Sequence, residues 1–152
     1  VLLPVGVPVL PTSTMVKLHL TDARADYEDE IGWPQLVDQV AAVTRSTDAS
    51  AVIAENYGEA GALELYGRGL PAVVSGHMSF RYWRPATLAS RSVAVVGYDR
   101  AQLVGLCSRY AIVRHVAIPY GVDNEEQGAP IGACTLRGDL DAVWPLLVHP
   151  KL

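Results

Sequence analysis

The sequence predicts an α/β fold, a three-layer sandwich with a mainly parallel sheet of about five strands. Three observations favour it. Short runs that are apolar on both faces, such as residues 51–54, are typical of central parallel strands. These runs alternate with segments of helical periodicity, as in βαβ units. Short right-handed crossovers between such units then favour a compact sandwich.

Apolar runs predict five strands, over residues 51–54, 72–75, 93–96, 111–118 and 131–136. Helical spacing predicts four helices, over residues 34–46, 59–66, 100–110 and 140–147. Pro34 stands in a first turn, where its missing N–H costs no hydrogen bond. Gly67 is a typical residue after a helix end, and Asp99 and Asp139 are typical N-caps.

Length and composition limit the classes of protein to which the chain can belong. The 152 residues form one domain by the usual size relation and can bury enough surface to fold without a metal. Acidic residues outnumber basic ones, 16 to 12, and the net charge is −4. Binding to phosphate backbones needs a basic stripe, which the sequence lacks. We therefore expect no nucleic-acid partner.

The first 30 residues predict a leader or linker, which precedes a single α/β domain over residues 31–152. Residues 1–11 are apolar but too short to cross a bilayer, and their prolines forbid a continuous helix. This stretch is either an extended leader packed on the domain or the exit end of a membrane helix. Residues 12–32 are polar and acidic, and we interpret the acidic cluster there as a solvated loop.

The two cysteines, Cys107 and Cys134, lack the C-x-x-C or histidine spacing of a zinc site. We therefore expect no metal site. The helical spacing places Cys107 on a buried face with Leu103 and Leu106, which favours two buried free thiols. A disulfide stays open as the alternative for an extracytoplasmic domain, because such bonds persist in oxidising compartments.

Polar side chains gather where the first two strands end. Glu55, Asn56 and Glu59 surround the turn after the first strand, and Ser75 and His77 end the second. Open α/β sheets bind ligands at this edge. The amide and carboxylates could bind sugar hydroxyls, and the N–H groups at the helix start could receive an anion such as phosphate. The alternative is a capped helix start beside a hydrogen-bonded histidine.

Aromatic and acidic residues extend this candidate ligand-binding site. Tyr57, Tyr82 and Trp83 could offer apolar faces to a sugar ring. Asp123 and Asn124 begin an acidic loop that could close over the same edge, although loops of this composition are usually just solvated.

Familiar catalytic signatures are absent from the sequence. The glycines form neither the G-x-G-x-x-G fingerprint nor a P-loop, and Ser75-Gly76-His77 lacks the nucleophile elbow. A self-contained hydrolase would need a close Ser–His–Asp triad at this edge. We therefore expect no cofactor, and the hydrolase stays open as a third hypothesis.

Several blocks of the sequence occur together in one known family. They are Glu55-Asn56-Tyr57-Gly58-Glu59-Ala60-Gly61-Ala62, Leu70-Pro71, Ser75-Gly76-His77-x-Ser79, Val95-Val96-Gly97-Tyr98, Asn124-Glu125-Glu126-Gln127-Gly128-Ala129-Pro130, Gly32-Trp33-Pro34 and Trp144-Pro145-Leu146. Over residues 31–149 the chain resembles the soluble C-terminal domain of bacterial multi-spanning glycosyltransferases, similar to the dolichyl-phosphate-mannose–protein mannosyltransferases. It departs from the family pattern at Met78 and Arg84.

The resemblance implies an extracytoplasmic domain that follows the last membrane helix of a bacterial integral membrane protein. In such enzymes the donor is a polyprenyl-phosphate sugar, and the catalytic acidic residue lies on a loop between early membrane helices. We therefore expect an accessory domain that is inactive alone, contacts the membrane portion of the same polypeptide, and binds a glycan, donor or acceptor. The alternative is a structural or assembly domain with no small-molecule ligand.

Overall fold

The structure is a computed structural model that describes residues 10–21, 25–122 and 124–149. Its α-helices in these ranges are α1 (Thr12–Lys17), α2 (Ala25–Asp29), α3 (Trp33–Ser46), α4 (Tyr57–Tyr66), α5 (Arg100–Leu106) and α6 (Leu140–Leu147). Its strands are β1 (Ala51–Ala54), β2 (Ala72–Val74), β3 (Ser92–Val96), β4 (Cys107–His115) and β5 (Pro130–Leu136). Two 3₁₀ helices, Met78–Trp83 and Pro119–Gly121, lie in loops.

The N-terminal part differs from the expected solvated loop. It forms the short helices α1 and α2, and Met15 is buried. An apolar side chain in an otherwise polar stretch gives such a segment one face to bury. Of the expected leader or linker over the first 30 residues, residues 1–9 and 22–24 lie outside the described residues.

The five strands form one open sheet in the order β2-β1-β3-β5-β4. β1 pairs in parallel with β2 and β3, whereas β5 pairs antiparallel with both β3 and β4. The sheet is therefore mixed, and the prediction of a mainly parallel sheet is wrong. The described residues of the connection from β4 to β5 contain no α-helix, whereas parallel strands that follow each other in sequence need a crossover that is usually helical. The chain instead returns antiparallel and inserts β5 between β3 and β4.

The largest error in element boundaries lies where α5 meets β4. The spacing of Leu103, Leu106, Cys107 and Tyr110 predicts one continuous helix, but the helix ends at Leu106 and the strand begins at Cys107. As a result Tyr110 lies opposite Cys134 on β5. Cys107 and Cys134 form a disulfide, with Cα atoms 5.7 Å apart, so the expectation of free thiols is wrong.

Apolar side chains form one cluster on each face of the sheet. Alternate residues of β1 point to opposite faces, as the pleat of a strand requires. Val52 and Ala54 join the cluster of α3 and α4, which includes Leu36 and Leu63. Ile53 joins the cluster of α5 and α6 on the other face. The strand ends therefore emerge between two packed helical faces, where polar residues follow them.

Candidate functional site

The candidate site lies at the carboxyl ends of β1, β2 and β3. The chain leaves β1 toward β2 on one side and leaves β3 toward β5 and β4 on the other. Such a switch point opens a crevice in which open α/β sheets bind ligands. Glu55 follows β1, Gly97 follows β3, and Ser75 and His77 follow β2.

Asn56 and Glu59 form a capping box at the start of α4. Asn56 Oδ1 accepts from the Glu59 N–H at 2.8 Å, and Glu59 Oε2 accepts from the N–H groups of Glu55 and Asn56 at 2.9 and 3.2 Å. These bonds satisfy N–H groups that a helix start otherwise leaves without a partner. Asn56 Nδ2 donates to Glu126 Oε1 at 3.1 Å. Both ends of the amide are therefore engaged within the protein.

His77 links the ends of β1 and β2. Its imidazole is buried, and Nδ1 accepts from the Tyr57 N–H at 3.3 Å, which places the ring proton on Nε2. Its own N–H donates to Ser75 Oγ at 3.2 Å, so Ser75 stabilises the turn after β2. The His77 ring stacks on His149 at 5.2 Å, and His149 Nε2 lies 3.6 Å from Glu55 Oε1. His149, which the sequence left isolated, therefore belongs to this site.

A cleft of about 220 Å³ opens beside the start of α4. It is lined by Asp29, Asn56, Tyr57, Gly58, His77, Glu125 and Glu126. Three of these side chains are carboxylates, and the Tyr57 ring is exposed. An acidic lining repels anions, so the cleft does not suit the phosphate that the helix start alone suggested. It suits hydroxyl groups, which donate hydrogen bonds to carboxylates.

The structure separates the other candidate residues from this cleft. Tyr82 and Trp83 lie on the 3₁₀ helix after His77, are 72% and 69% exposed, and do not line the cleft. Asn124 is buried, and its Nδ2 donates to the carbonyl of Ile31 at 2.8 Å, which ties the acidic loop to the start of α3. Asp123 lies outside the described residues.

Glu55 and Glu59 lie beside Gly97, at the ends of β1 and β3. Glu59 is completely buried, and its burial, together with the neighbouring Glu126 carboxylate, raises its pKa well above the usual value. Burial also raises the pKa of Glu126. The Tyr98 hydroxyl donates to the Ala54 carbonyl at 3.3 Å, and burial raises its pKa as well. Within the described ranges no three His, Cys, Asp or Glu side chains converge to hold a metal ion.

Sequence reasoning did not select Gly97 or His149 as site residues, and it considered Glu126 only as part of the acidic loop that could close over the edge. A signal was present for Gly97, because it stands in a sequence block that carries the family resemblance. His149 had no such signal, since it follows the last helix and reaches Glu55 only through the fold.

The N-caps Asn56 and Asp99 are expected to respond differently to an exchange of amide and carboxylate. Asn56→Asp keeps the cap but leaves Glu126 facing a third carboxylate in place of a donor. We expect it to lower the free energy of unfolding by about 2–3 kcal/mol at neutral pH. The matched control is Asp99→Asn at the exposed start of α5, with an expected change below about 0.5 kcal/mol. Urea denaturation measures both, and equal losses would contradict the prediction.

Comparisons with protein-family models, curated proteins and solved structures found no match to this chain. In the part of the chain that the structure describes, no helix is long and apolar enough to cross a membrane. Fold and site together define the class: an α/β domain with a mixed five-stranded sheet and a small acidic cleft at the strand ends.

Proposed function

We propose that this chain is an accessory domain of a membrane glycosyltransferase that uses polyprenyl-phosphate sugar donors, and that it binds a glycan in the cleft beside α4. The observation that carries the glycan-binding part is the cleft itself, which combines carboxylates, a histidine and an exposed tyrosine. The glycosyltransferase part rests on the sequence blocks of residues 31–149. In this proposal the chemistry takes place elsewhere in the same polypeptide.

The size and charge of the cleft favour a neutral sugar over the lipid-phosphate donor. At about 220 Å³ it is smaller than the pockets that hold drug-sized ligands, and it matches a single sugar residue. Asp29, Glu125 and Glu126 can accept hydrogen bonds from several hydroxyl groups, and the Tyr57 ring can cover an apolar sugar face. A phosphate would meet repulsion from the same carboxylates. Among glycan, donor and acceptor, we therefore favour the glycan.

An extracytoplasmic location and a membrane-bound partner belong to the same proposal. The Cys107–Cys134 disulfide supports it, because disulfides persist in oxidising compartments. The membrane portion of the same polypeptide would then be the partner of this domain. We also infer a three-layer sandwich, since α3 and α4 pack on one face of the sheet while α5 and α6 pack on the other.

The binding proposal predicts different effects for the two tyrosines that begin and end α4. Tyr57 lines the cleft and Tyr66 does not, yet both are about half exposed, at 57% and 48%. We expect Tyr57→Ala to weaken glycan binding about five- to tenfold, because it removes the aromatic face. Tyr66→Ala should leave binding unchanged. The measurement is a nuclear magnetic resonance titration of backbone amides with methyl mannoside and methyl glucoside.

A parallel titration with a soluble polyprenyl-phosphate sugar analogue separates the possible ligands. Shifts at Tyr57, Gly58 and His77 with the neutral glycosides, and weaker ones with the phosphate, support the proposal. No shift at these amides with any probe would refute glycan binding at this edge. Shifts with the phosphate analogue alone would refute the preference for a neutral sugar.

The second candidate is a structural or assembly domain that binds no small molecule. The internal hydrogen bonds of Asn56 and Asn124 favour it, because these amides serve the fold. Tyr82 and Trp83 would then be the contact residues, since large exposed aromatic side chains are enriched at protein interfaces. Loss of association with the membrane portion in a Trp83→Ala variant, with no glycan response in the wild type, would favour this candidate.

A further inference from the structure

Two carboxyl groups meet at the base of the cleft, around Asn56. Glu59 comes from α4 and is completely buried, and Glu126 comes from the loop before β5 and is 8% exposed. Asn56 contacts both carboxyl groups, because its backbone N–H donates to Glu59 Oε2 and its Nδ2 donates to Glu126 Oε1. Burial, and then the charge of Glu126, raise the pKa of Glu59. Two ionised carboxylates have no donor to offer each other, so a direct bond between them needs a proton.

The two oxygens of Glu59 have different surroundings. Oε2 accepts two backbone N–H groups, whereas no donor in the described part of the chain reaches the buried Oε1. A bare anionic oxygen in such a place would be costly, which favours a proton on Oε1. That proton could be donated to the neighbouring Glu126 carboxylate, which already accepts from Asn56 Nδ2.

We propose that Glu59 and Glu126 share one proton, which acts as a latch that fastens the loop of residues 124–128 to the start of α4. When this proton leaves for solvent at higher pH, two buried carboxylates face each other. The loop then detaches, and the cleft wall formed by Glu125 and Glu126 moves away. The latch is a property of the protein alone, and only its effect on ligand binding rests on the proposed function.

The groups around the pair reinforce the shared proton. Glu55 and Glu125 add negative charge and raise the pKa of Glu59 and Glu126, respectively. Other titratable groups come from the elements packed around the cleft, namely Asp29 on α2, His77 after β2, Tyr98 after β3 and His149 after α6. The strongest neighbours are carboxylates, so a second ionisation at this site is unfavourable.

The direction of the pH dependence follows from the raised pKa. In the unfolded chain both carboxyl groups ionise near the usual value of 4.5. The folded state holds the shared proton more tightly, so its stabilising contribution is complete below that value. The contribution is lost as the pH rises toward the folded-state pKa. The loop should therefore loosen with increasing pH, opposite to the behaviour of an ion-paired carboxylate.

Carbon-13 resonances of the glutamate carboxyl groups test the latch without any ligand. We expect Glu59 to remain protonated to a pH clearly above the usual pKa of a glutamate carboxyl group. Titration of Glu59 at that usual value would overturn the proposal. Because no sugar is present, this result is independent of the outcome of the glycan titrations.

Hydrogen exchange in Glu59→Gln tests whether the shared proton holds the loop of residues 124–128 to the start of α4. The glutamine amide can accept from the two backbone N–H groups and donate to Glu126, so it mimics the protonated form at every pH. At about pH 8, exchange of the Ala129 N–H, corrected for its intrinsic rate, should be at least about tenfold slower than in the wild type. Equal rates would overturn the latch. Glu126→Gln provides a second variant, since its amide can donate to an ionised Glu59.

Discussion

Removal of the Cys107–Cys134 disulfide is expected to lower the free energy of unfolding by about 3–4 kcal/mol. The bond joins residues with a sequence separation of 27 and so restricts the unfolded chain. The expected loss is the conformational entropy that the unfolded chain regains when a loop of this length is opened. It joins the start of β4 to β5 inside the cluster that α5 and α6 cover. Urea denaturation of the double variant Cys107→Ala/Cys134→Ala against the wild type measures the loss.

Reduction of the wild-type protein distinguishes two contributions to the free energy of unfolding, that of the cross-link and that of the packing of the two sulfur atoms. Both cysteines are buried, so the double variant also loses side-chain contacts that reduced wild type retains. We expect the reduced wild type to show most of the loss and the double variant slightly more. An unfolding midpoint that is the same with and without reductant would contradict a stabilising disulfide.

Local patterns were sufficient to predict the parts of the fold that are determined by local interactions. The first strand is predicted with its observed bounds, because an apolar run with small polar neighbours leaves little choice. The cap of α5 by Asp99 follows from the preference of a single residue type for the N-cap. α4 ends before Gly67 as predicted, but Gly67 has φ −83° and is not left-handed; it fits there because a Cβ would clash with the Leu63 carbonyl oxygen. In each case the decisive residues lie within one turn of the feature.

The features that the sequence analysis got wrong depend on contacts between distant residues. The direction of β5 is set by its pairing with β3 and β4, and nothing within the strand specifies it. Cys107 fits a helical face and a strand equally well, so the end of α5 stayed ambiguous. The choice of strand places Cys107 within reach of Cys134, and this explains why the disulfide was missed as well.

The candidate site divides in the same way. The sequence predicted that Asn56, Tyr57 and His77 would meet at one edge, and the structure brings them together around one cleft. It could not predict that Glu126 would occupy the donor end of Asn56, since these residues are 70 positions apart. Through Asn56, the contact brings Glu126 close to Glu59, and both carboxyl groups are buried. Of the two ligands expected at this edge, an anion and sugar hydroxyl groups, the acidic lining favours the hydroxyl groups.

Gly97→Ala is expected to lower the free energy of unfolding by about 2–4 kcal/mol. Gly97 has φ +83°, a conformation that costs a residue with a side chain about 1–2 kcal/mol. A Cβ atom would also lie 2.5 and 2.7 Å from the two Glu59 carboxyl oxygens. The carboxyl group cannot move away cheaply, because two backbone N–H groups hold it. The substitution should therefore disturb the capping box of α4 as well.

Gly128→Ala is the matched control, since Gly128 has nearly the same φ, +84°, and no atom within 4 Å of the added Cβ. It should lose only the conformational part, about 1–2 kcal/mol. The difference between the two variants then isolates the contact with Glu59, and urea denaturation of both proteins measures it. Equal losses would mean that the Glu59 carboxyl group moves away from the added Cβ atom at no cost in stability. A mobile Glu59 would also be inconsistent with a proton held between Glu59 and Glu126, so this comparison tests the acid pair by its packing, independently of its titration.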